Sequence, residues 1–348
     1  GLADLFYQQI DQFSIRDSQV IVNNGQRKRT FLISALDWLN LDDRHLAKAD
    51  VIVDGLTSNN IKLSLDVAGN KSKEINGAVH IEGNNLNITP WLDQVLAIDN
   101  ENTQSSINFS AWLTVNNGLA QELQLAFTDS EISWQHKKKS QRFTLDSGQL
   151  LLSNLDDFSQ LNLESTPLQF SANNQNLPPL TVEFRRDQDD LFTYFSYLDL
   201  GSLTTLFPLF SADEKMRATV ESLAMQGSVG EFYLQSQAGD YQLSAEFDQV
   251  STAFSQGMPG IKNSQGSVLF ADDKLLVNLT ASQGALDFDR HFILPIPYDD
   301  LSVDFTVAFD DKGWRMTTQS LSLNSEELKL SAEIGVDVPK EGLAEMSL

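Results

Sequence analysis

The sequence has 348 residues, of which 41% are hydrophobic and 21% are charged, with 24 Lys and Arg against 48 Asp and Glu. The formal charge of −24 argues against a nucleic-acid partner, because binding to phosphates relies on Lys and Arg. Cysteine is absent, which excludes disulfides and thiolate metal sites. No run approaches the roughly 20 apolar residues of a membrane-spanning helix. Since Gly1 is not a natural start, we expect a soluble piece of a longer protein.

Three short helices are predicted along the chain. The first carries an apolar stripe over residues 2–13. The second follows Thr89 and Pro90, which are an N-cap residue and a proline suited to the first helical position. The third begins after Gly201 and ends near Phe210.

Alternation of apolar and polar residues fills most of the remaining chain and predicts about fifteen strands. The clearest example is residues 301–309, where every odd position is bulky and apolar. Turn signals such as Asn116-Asn117-Gly118 separate these runs and indicate hairpins. The sequence therefore predicts an all-β fold of mostly antiparallel strands, each with one apolar face.

So many half-apolar strands leave more apolar surface than three short helices can cover. Either a second sheet packs on the first, as in a sandwich, or the sheet curves into an open groove whose apolar interior holds something other than protein. Alternation alone leaves both arrangements open. In the groove, the predicted lining residues are Ile61, Leu63, Leu65, Ile107, Phe109, Leu113, Val115, Leu123, Leu125, Phe127, Leu243, Phe247, Leu275, Val277, Leu279, Leu301, Val303, Phe305, Val307 and Phe309.

A weak internal repeat predicts modules within a single elongated segment that covers residues 1–348. One predicted strand runs straight into the helix at Pro90, and another runs in the same way into the helix at Gly201. We therefore expect modules at about residues 14–98 and 99–210, with the remainder at 211–348.

Residues that could support catalysis are few. The four histidines, His45, His80, His136 and His291, show no metal-binding or catalytic spacing. His80 is assigned to a polar position in a strand, whereas His45 and His136 are assigned to charged loops. Acidic pairs such as Asp299-Asp300 are assigned to turns, where Asp is favoured by local hydrogen bonds. We therefore expect no enzyme, no cofactor and no metal site.

Two basic runs, Arg27–Arg29 and Lys137–Lys139, lie at or beside predicted hairpin turns. One interpretation is contact with anionic headgroups or an acidic partner. The other is a charged hairpin tip that prevents pairing between sheet edges, and this second interpretation is favoured.

The order of several short segments resembles a known family. Residues 5–20, LFYQQIDQFSIRDSQV, are similar to the first stretch after the membrane anchor in YhdP-like members of the AsmA-like family. Further similarities follow in the family's order over nearly the whole chain. They comprise LDWLN at 36–40, LNITPWL at 86–92, PGI and SQG within 259–266, FILPIP at 292–297 and GWR at 313–315.

The resemblance implies membership of the bridge-like lipid transfer group, whose chains form elongated, curved β-sheet grooves lined with apolar side chains. It also implies a periplasmic location, an inner-membrane anchor upstream of this piece, and movement of phospholipid toward the outer membrane. Phospholipids are then the expected ligands, and other envelope proteins stay open as partners. The alternative function is a non-catalytic structural or scaffolding β-sandwich that binds protein partners. A carbohydrate-binding sandwich is weaker, because the five tryptophans are scattered along the chain.

Overall fold

The computed structural model describes residues 10–23, 28–53, 61–89, 103–136, 139–210, 213–255, 259–289, 294–340 and 345–347. Two compact units divide the chain, Gly1–Gln188 (the N-terminal unit) and Asp189–Leu348 (the C-terminal unit). Both units consist mainly of antiparallel strands, so the predicted all-β class is confirmed. The described residues contain 22 strands, more than the number predicted, because strands as short as two residues carry no periodic signal.

Strands β1 to β8 of the N-terminal unit pair in chain order. Beyond β8 the ladder divides, because β9 pairs with one end of β8 and β10 with the other. Strand β12 then pairs with β9, and β11 pairs with β10. The bounds are β1 (Gln12–Asn23), β2 (Lys28–Leu41), β3 (Arg44–Val53), β4 (Ile61–Ala68), β5 (Asn76–Leu86), β6 (Gln104–Asn116), β7 (Leu119–His136), β8 (Lys139–Ser153), β9 (Asn162–Ser165), β10 (Gln169–Ala172), β11 (Gln175–Asn176) and β12 (Val182–Asp187).

The C-terminal unit repeats this plan with strands β13 to β19 paired in chain order. Its ladder also divides at the last long strand, where β20 and β21 pair with opposite ends of β19, and β22 pairs with β21. The bounds are β13 (Asp190–Asp199), β14 (Gln226–Gln237), β15 (Asp240–Thr252), β16 (Ile261–Ala271), β17 (Lys274–Leu286), β18 (Ile296–Asp310), β19 (Gly313–Asn324), β20 (Lys329–Ala332), β21 (Gly335–Pro339) and β22 (Glu345–Ser347).

Two short α-helices, α1 (Leu200–Phe210) and α2 (Glu214–Leu223), connect β13 to β14. Helix α1 is the third predicted helix and is confirmed. Helix α2 was not predicted, although Asp213 is a clear N-cap signal, and its carboxylate accepts hydrogen bonds from the backbone of Lys215 (2.9 Å) and Met216 (3.1 Å). Two 3₁₀ turns lie at residues 72–74 and 158–160.

The other two predicted helices fall largely outside the described residues. Residues 1–9 of the first and residues 90–102 of the second are not described. Phe13, at the end of the first predicted stripe, lies in β1 and pairs with Trp38 of β2. The helical assignment is therefore wrong at Phe13, where the strand ladder determines the backbone conformation.

Tight two-residue turns join many of the neighbouring strands. Positive φ angles occur at both turn residues in Asn117-Gly118 (51° and 75°) and in Ala238-Gly239 (51° and 91°). This conformation suits the right-handed twist of paired strands, and Asn and Gly reach it at low cost. The hairpin predicted at Asn116-Asn117-Gly118 is confirmed.

Candidate functional site

One face of the N-terminal unit carries continuous rows of apolar side chains. Directly paired residues on antiparallel strands share a face of the sheet, so the register defines these rows. A row over ten strands crosses the sheet for roughly 43 Å, at about 4.8 Å per strand. Its residues are Phe13, Trp38, Ala47, Leu65, Val79, Leu113, Leu123, Leu152, Leu163 and Phe184. A parallel row contains Ile15, Leu36, Ala49, Leu63, Ile81, Ala111, Leu125 and Leu150.

The C-terminal unit has the same kind of face. Its apolar rows run from β14 to β21. Each unit therefore has one apolar face and one mainly polar face. One row contains Leu234, Leu243, Phe270, Leu275, Val307, Met316 and Val336. A second contains Phe247, Gly266, Leu279, Val303, Leu321 and Ala332.

The predicted lining residues lie on these two faces, ten in the first unit and ten in the second. Most of them are half-buried. Leu301 differs, because it is only 4% exposed and packs in a cluster with Tyr298 and Leu323. Phe309 differs in the other direction and is 44% exposed at the end of β18. The structure therefore brings the predicted residues together within each unit.

The degree of burial of these side chains indicates whether a second layer of protein covers the apolar face. A second layer packed on the face would bury its side chains as fully as Leu301 is buried. Instead, Phe109, Leu113, Val277 and Phe305 keep part of their surface open.

β-Bulges keep the apolar face continuous where the sequence alternation changes phase. In β5, Gly83 pairs with Phe109 and Leu86 pairs with Ile107, so an even-numbered residue joins a row of odd-numbered ones. The extra residue, Asn85, has φ of 52°. Such a phase change hides further apolar residues from a strict period-two pattern, and in β5 the signal that marks it is Asn85 within an apolar run.

The model of the YhdP protein family matches residues 2–348. The chain belongs to the YhdP protein family. The intermembrane phospholipid transporter YhdP of Escherichia coli (strain K12) is 20% identical over 344 residues, which cover 93% of this chain and 27% of that protein. The chain thus spans about a quarter of the length of this curated YhdP relative, and no solved structure matches it.

Within the described ranges, no group of three or more His, Asp or Glu side chains could hold a metal ion. In the same part of the chain, no helix is both long and apolar enough to cross a membrane.

The acidic pair Asp299-Asp300 lies in β18, so its assignment to a turn was wrong. Strand pairing with β17 and β19 continues through these residues.

His45 has a structural environment that the sequence did not indicate. The loop assignment was wrong, because only Asp42 and Asp43 form the turn and His45 lies in β3. Its ring is fully buried, with Nδ1 2.6 Å from Oδ1 of Asn40 and Nε2 2.9 Å from the carbonyl oxygen of Gly69. These contacts tie the β2–β3 and β4–β5 connections together and give His45 a structural role.

The opposite, polar face of the N-terminal unit contains a recess of about 770 Å³ across β1 to β5. The backbone of the Phe13–Trp38–Ala47–Leu65 row forms its floor, since the two neighbouring rows on this face supply the walls. One wall contains Gln12, Leu39, Leu46, Asp66 and Ala78, and the other contains Ser14, Asp37, Lys48, Ser64 and His80. Sequence reasoning missed this recess, which no single strand reveals.

The two carboxylates of this recess are paired with guanidinium groups. Asp37 lies 2.6 Å from Arg16, and the hydrogen bonds from Ser14 and Arg16 lower its pKa. Asp66 makes a bidentate contact with Arg44, at 2.8 and 2.6 Å, which lowers the pKa of this carboxyl as well. Both acids therefore stay ionised and locally neutralised.

Proposed function

We propose that this chain is a periplasmic segment of an envelope lipid-transfer protein, in which the apolar face of each unit is the lining of a groove that shields phospholipid acyl chains between the inner and outer membranes. The observation that carries the proposal is the set of continuous, half-buried apolar rows on one face of each unit. The E. coli relative, which is named for phospholipid transport between membranes, supports the choice of ligand.

The energetics of acyl-chain transfer agree with a broad apolar face. Each methylene group removed from water contributes about 0.8 kcal/mol, so a long acyl chain gains on the order of 10 kcal/mol from apolar surroundings. The headgroup can stay hydrated at the open side of the face. Shielding of this kind needs no catalytic group, which fits a non-enzymatic role.

The half-burial of the lining favours this function over a structural sandwich that binds only protein. In a sandwich, Phe109, Val277 and Phe305 would be covered by a second apolar layer. We propose the predicted lining set as the lipid-contacting residues, with Leu301 acting mainly through its packing against Tyr298. An inner-membrane anchor elsewhere in the full-length protein would hold this segment in the periplasm.

Native mass spectrometry of the purified chain tests the proposal. We expect phospholipid to remain bound to the wild-type chain. The double variant Val303→Asp with Phe305→Asp places two carboxylates on the apolar face of the C-terminal unit and should bind less lipid than the wild type. The matched control is Leu269→Asp with Leu276→Asp, since these paired leucines lie on the opposite face and are 45% and 41% exposed.

Circular dichroism of the same variants separates loss of lipid from loss of fold. A folded apolar-face variant with less lipid than the wild type, beside a control that retains lipid, supports the proposal. Equal lipid content in the two folded double variants, or a wild-type chain free of lipid, contradicts it.

A further inference from the structure

The recess on the polar face of β1 to β5 has the composition of a ligand site separate from the apolar face. Its volume of about 770 Å³ lies within the usual range of small-molecule pockets. Leu39, which is 38% exposed, and Leu46 supply apolar surface on one wall. Polar side chains supply the facing wall, so the recess is amphipathic.

Hydrogen-bond donors lie side by side on the polar wall. Lys48 pairs directly with Ser64, and Ser64 pairs directly with His80, so the three side chains are cross-strand neighbours on β3, β4 and β5. Within the described part of the chain, the Lys48 ammonium and the Ser64 hydroxyl have no hydrogen-bond or ion-pair partner. They are free to bind a ligand in the recess.

The charge of the recess favours an anion. Lys48 lies directly opposite Asp37, but Arg16 is paired with Asp37 and Arg44 with Asp66, so these five groups together carry one net positive charge, that of Lys48. Lysine and hydroxyl donors are suited to the oxygens of a phosphate group.

We propose that this recess binds the phosphate group of a single-chain amphiphile, with the phosphate at Lys48 and Ser64 and the apolar chain against Leu39 and Leu46. The site goes beyond the proposed acyl-chain face, because it lies on the other side of the sheet and recognises charge. Lipid headgroups and free phosphate share this chemistry.

Isothermal titration calorimetry with monomeric dodecyl phosphate tests the proposal, with inorganic phosphate and dodecyl maltoside as separate probes. We expect saturable, salt-sensitive binding of dodecyl phosphate and a five- to tenfold weaker affinity in Lys48→Gln. Lys62→Gln is the matched control, because Lys62 lies on the same face but outside this recess, opposite Asp50 and Glu82. Its affinity should stay within twofold of the wild type.

The probes also distinguish the source of the phosphate. Competition by inorganic phosphate supports a site that accepts free phosphate, whereas binding of dodecyl phosphate without such competition supports a lipid headgroup. Equal binding of dodecyl maltoside, an equal effect of the Lys48 and Lys62 variants, or no saturable binding would overturn the proposal. The variant Phe109→Asp, on the apolar face of the same N-terminal unit, should retain this binding, which separates the site from the proposed lipid face.

Discussion

Replacement of Phe305 by Asp tests whether the apolar face of the C-terminal unit is open. Phe305 is half-buried on β18, directly opposite Val277 of β17. Full burial of a Phe side chain is worth about 1.5–3 kcal/mol, so loss of this half-buried ring should cost about 1–2 kcal/mol. The new carboxylate can stay hydrated on an open face. For a unit of this size, we expect the melting temperature to fall by about 2–8 °C.

Thermal unfolding followed by circular dichroism measures this change, with Leu276→Asp as the control on the opposite face. Leu276 is 41% exposed, so its replacement should lower the melting temperature by less than that of Phe305. A covered face would bury the carboxylate without a partner, at a cost of several kcal/mol. An insoluble or unfolded Phe305→Asp chain, beside a folded Leu276→Asp chain, would therefore refute the open-face account.

Three further predictions concern stability. Gly266→Ala should destabilise the chain by roughly 2–4 kcal/mol in urea denaturation, because the new Cβ would lie 1.9 Å from the carbonyl oxygen of Asn278; a change below 0.5 kcal/mol would contradict this. His45→Ala should cost about 2–4 kcal/mol in the same assay, since it leaves a cavity and removes the buried polar contacts of the ring with Asn40 and with the carbonyl oxygen of Gly69, and a near-neutral effect would exclude the structural role. Arg44 lowers the folded-state pKa of Asp66, so the stabilisation is present above the ordinary value of 3.8 and is lost as pH falls through the lower folded value. Melting temperatures from pH 7 to pH 2 should accordingly show a smaller acid-induced decrease in Asp66→Asn than in the wild type, and identical profiles would contradict the assignment.

The sequence was sufficient to predict the fold class and to predict which side chains of a strand share a face of the sheet. Alternation identifies the two faces because successive strand side chains point in opposite directions, as at Val303, Phe305 and Val307. It fails at bulges, where Asn85 takes a left-handed conformation that depends on hydrogen bonds with the neighbouring strand. The change of phase is therefore a property of strand pairing.

Two other features could not be predicted because they depend on residues distant in sequence. His45 follows Asp42, Asp43 and Arg44, whose charges suggest a loop, yet its ring is enclosed by contacts from neighbouring strands and turns. The polar-face recess draws its walls from five strands. The proposed module boundaries near residues 98 and 210 stay predictions.

Site-specific photo-crosslinking in cells is the most direct test of the proposed lipid face. A benzophenone side chain would be placed at Phe109 or Val277 on the apolar faces, and at Leu269 or Leu276 on the opposite face of the C-terminal unit. The control positions are well exposed, at 45% and 41%, so low capture there cannot result from burial. In the full-length protein, we predict phospholipid capture at Phe109 and Val277 and little at Leu269 and Leu276. Equal capture on both faces, or none at Phe109 and Val277, would contradict the account.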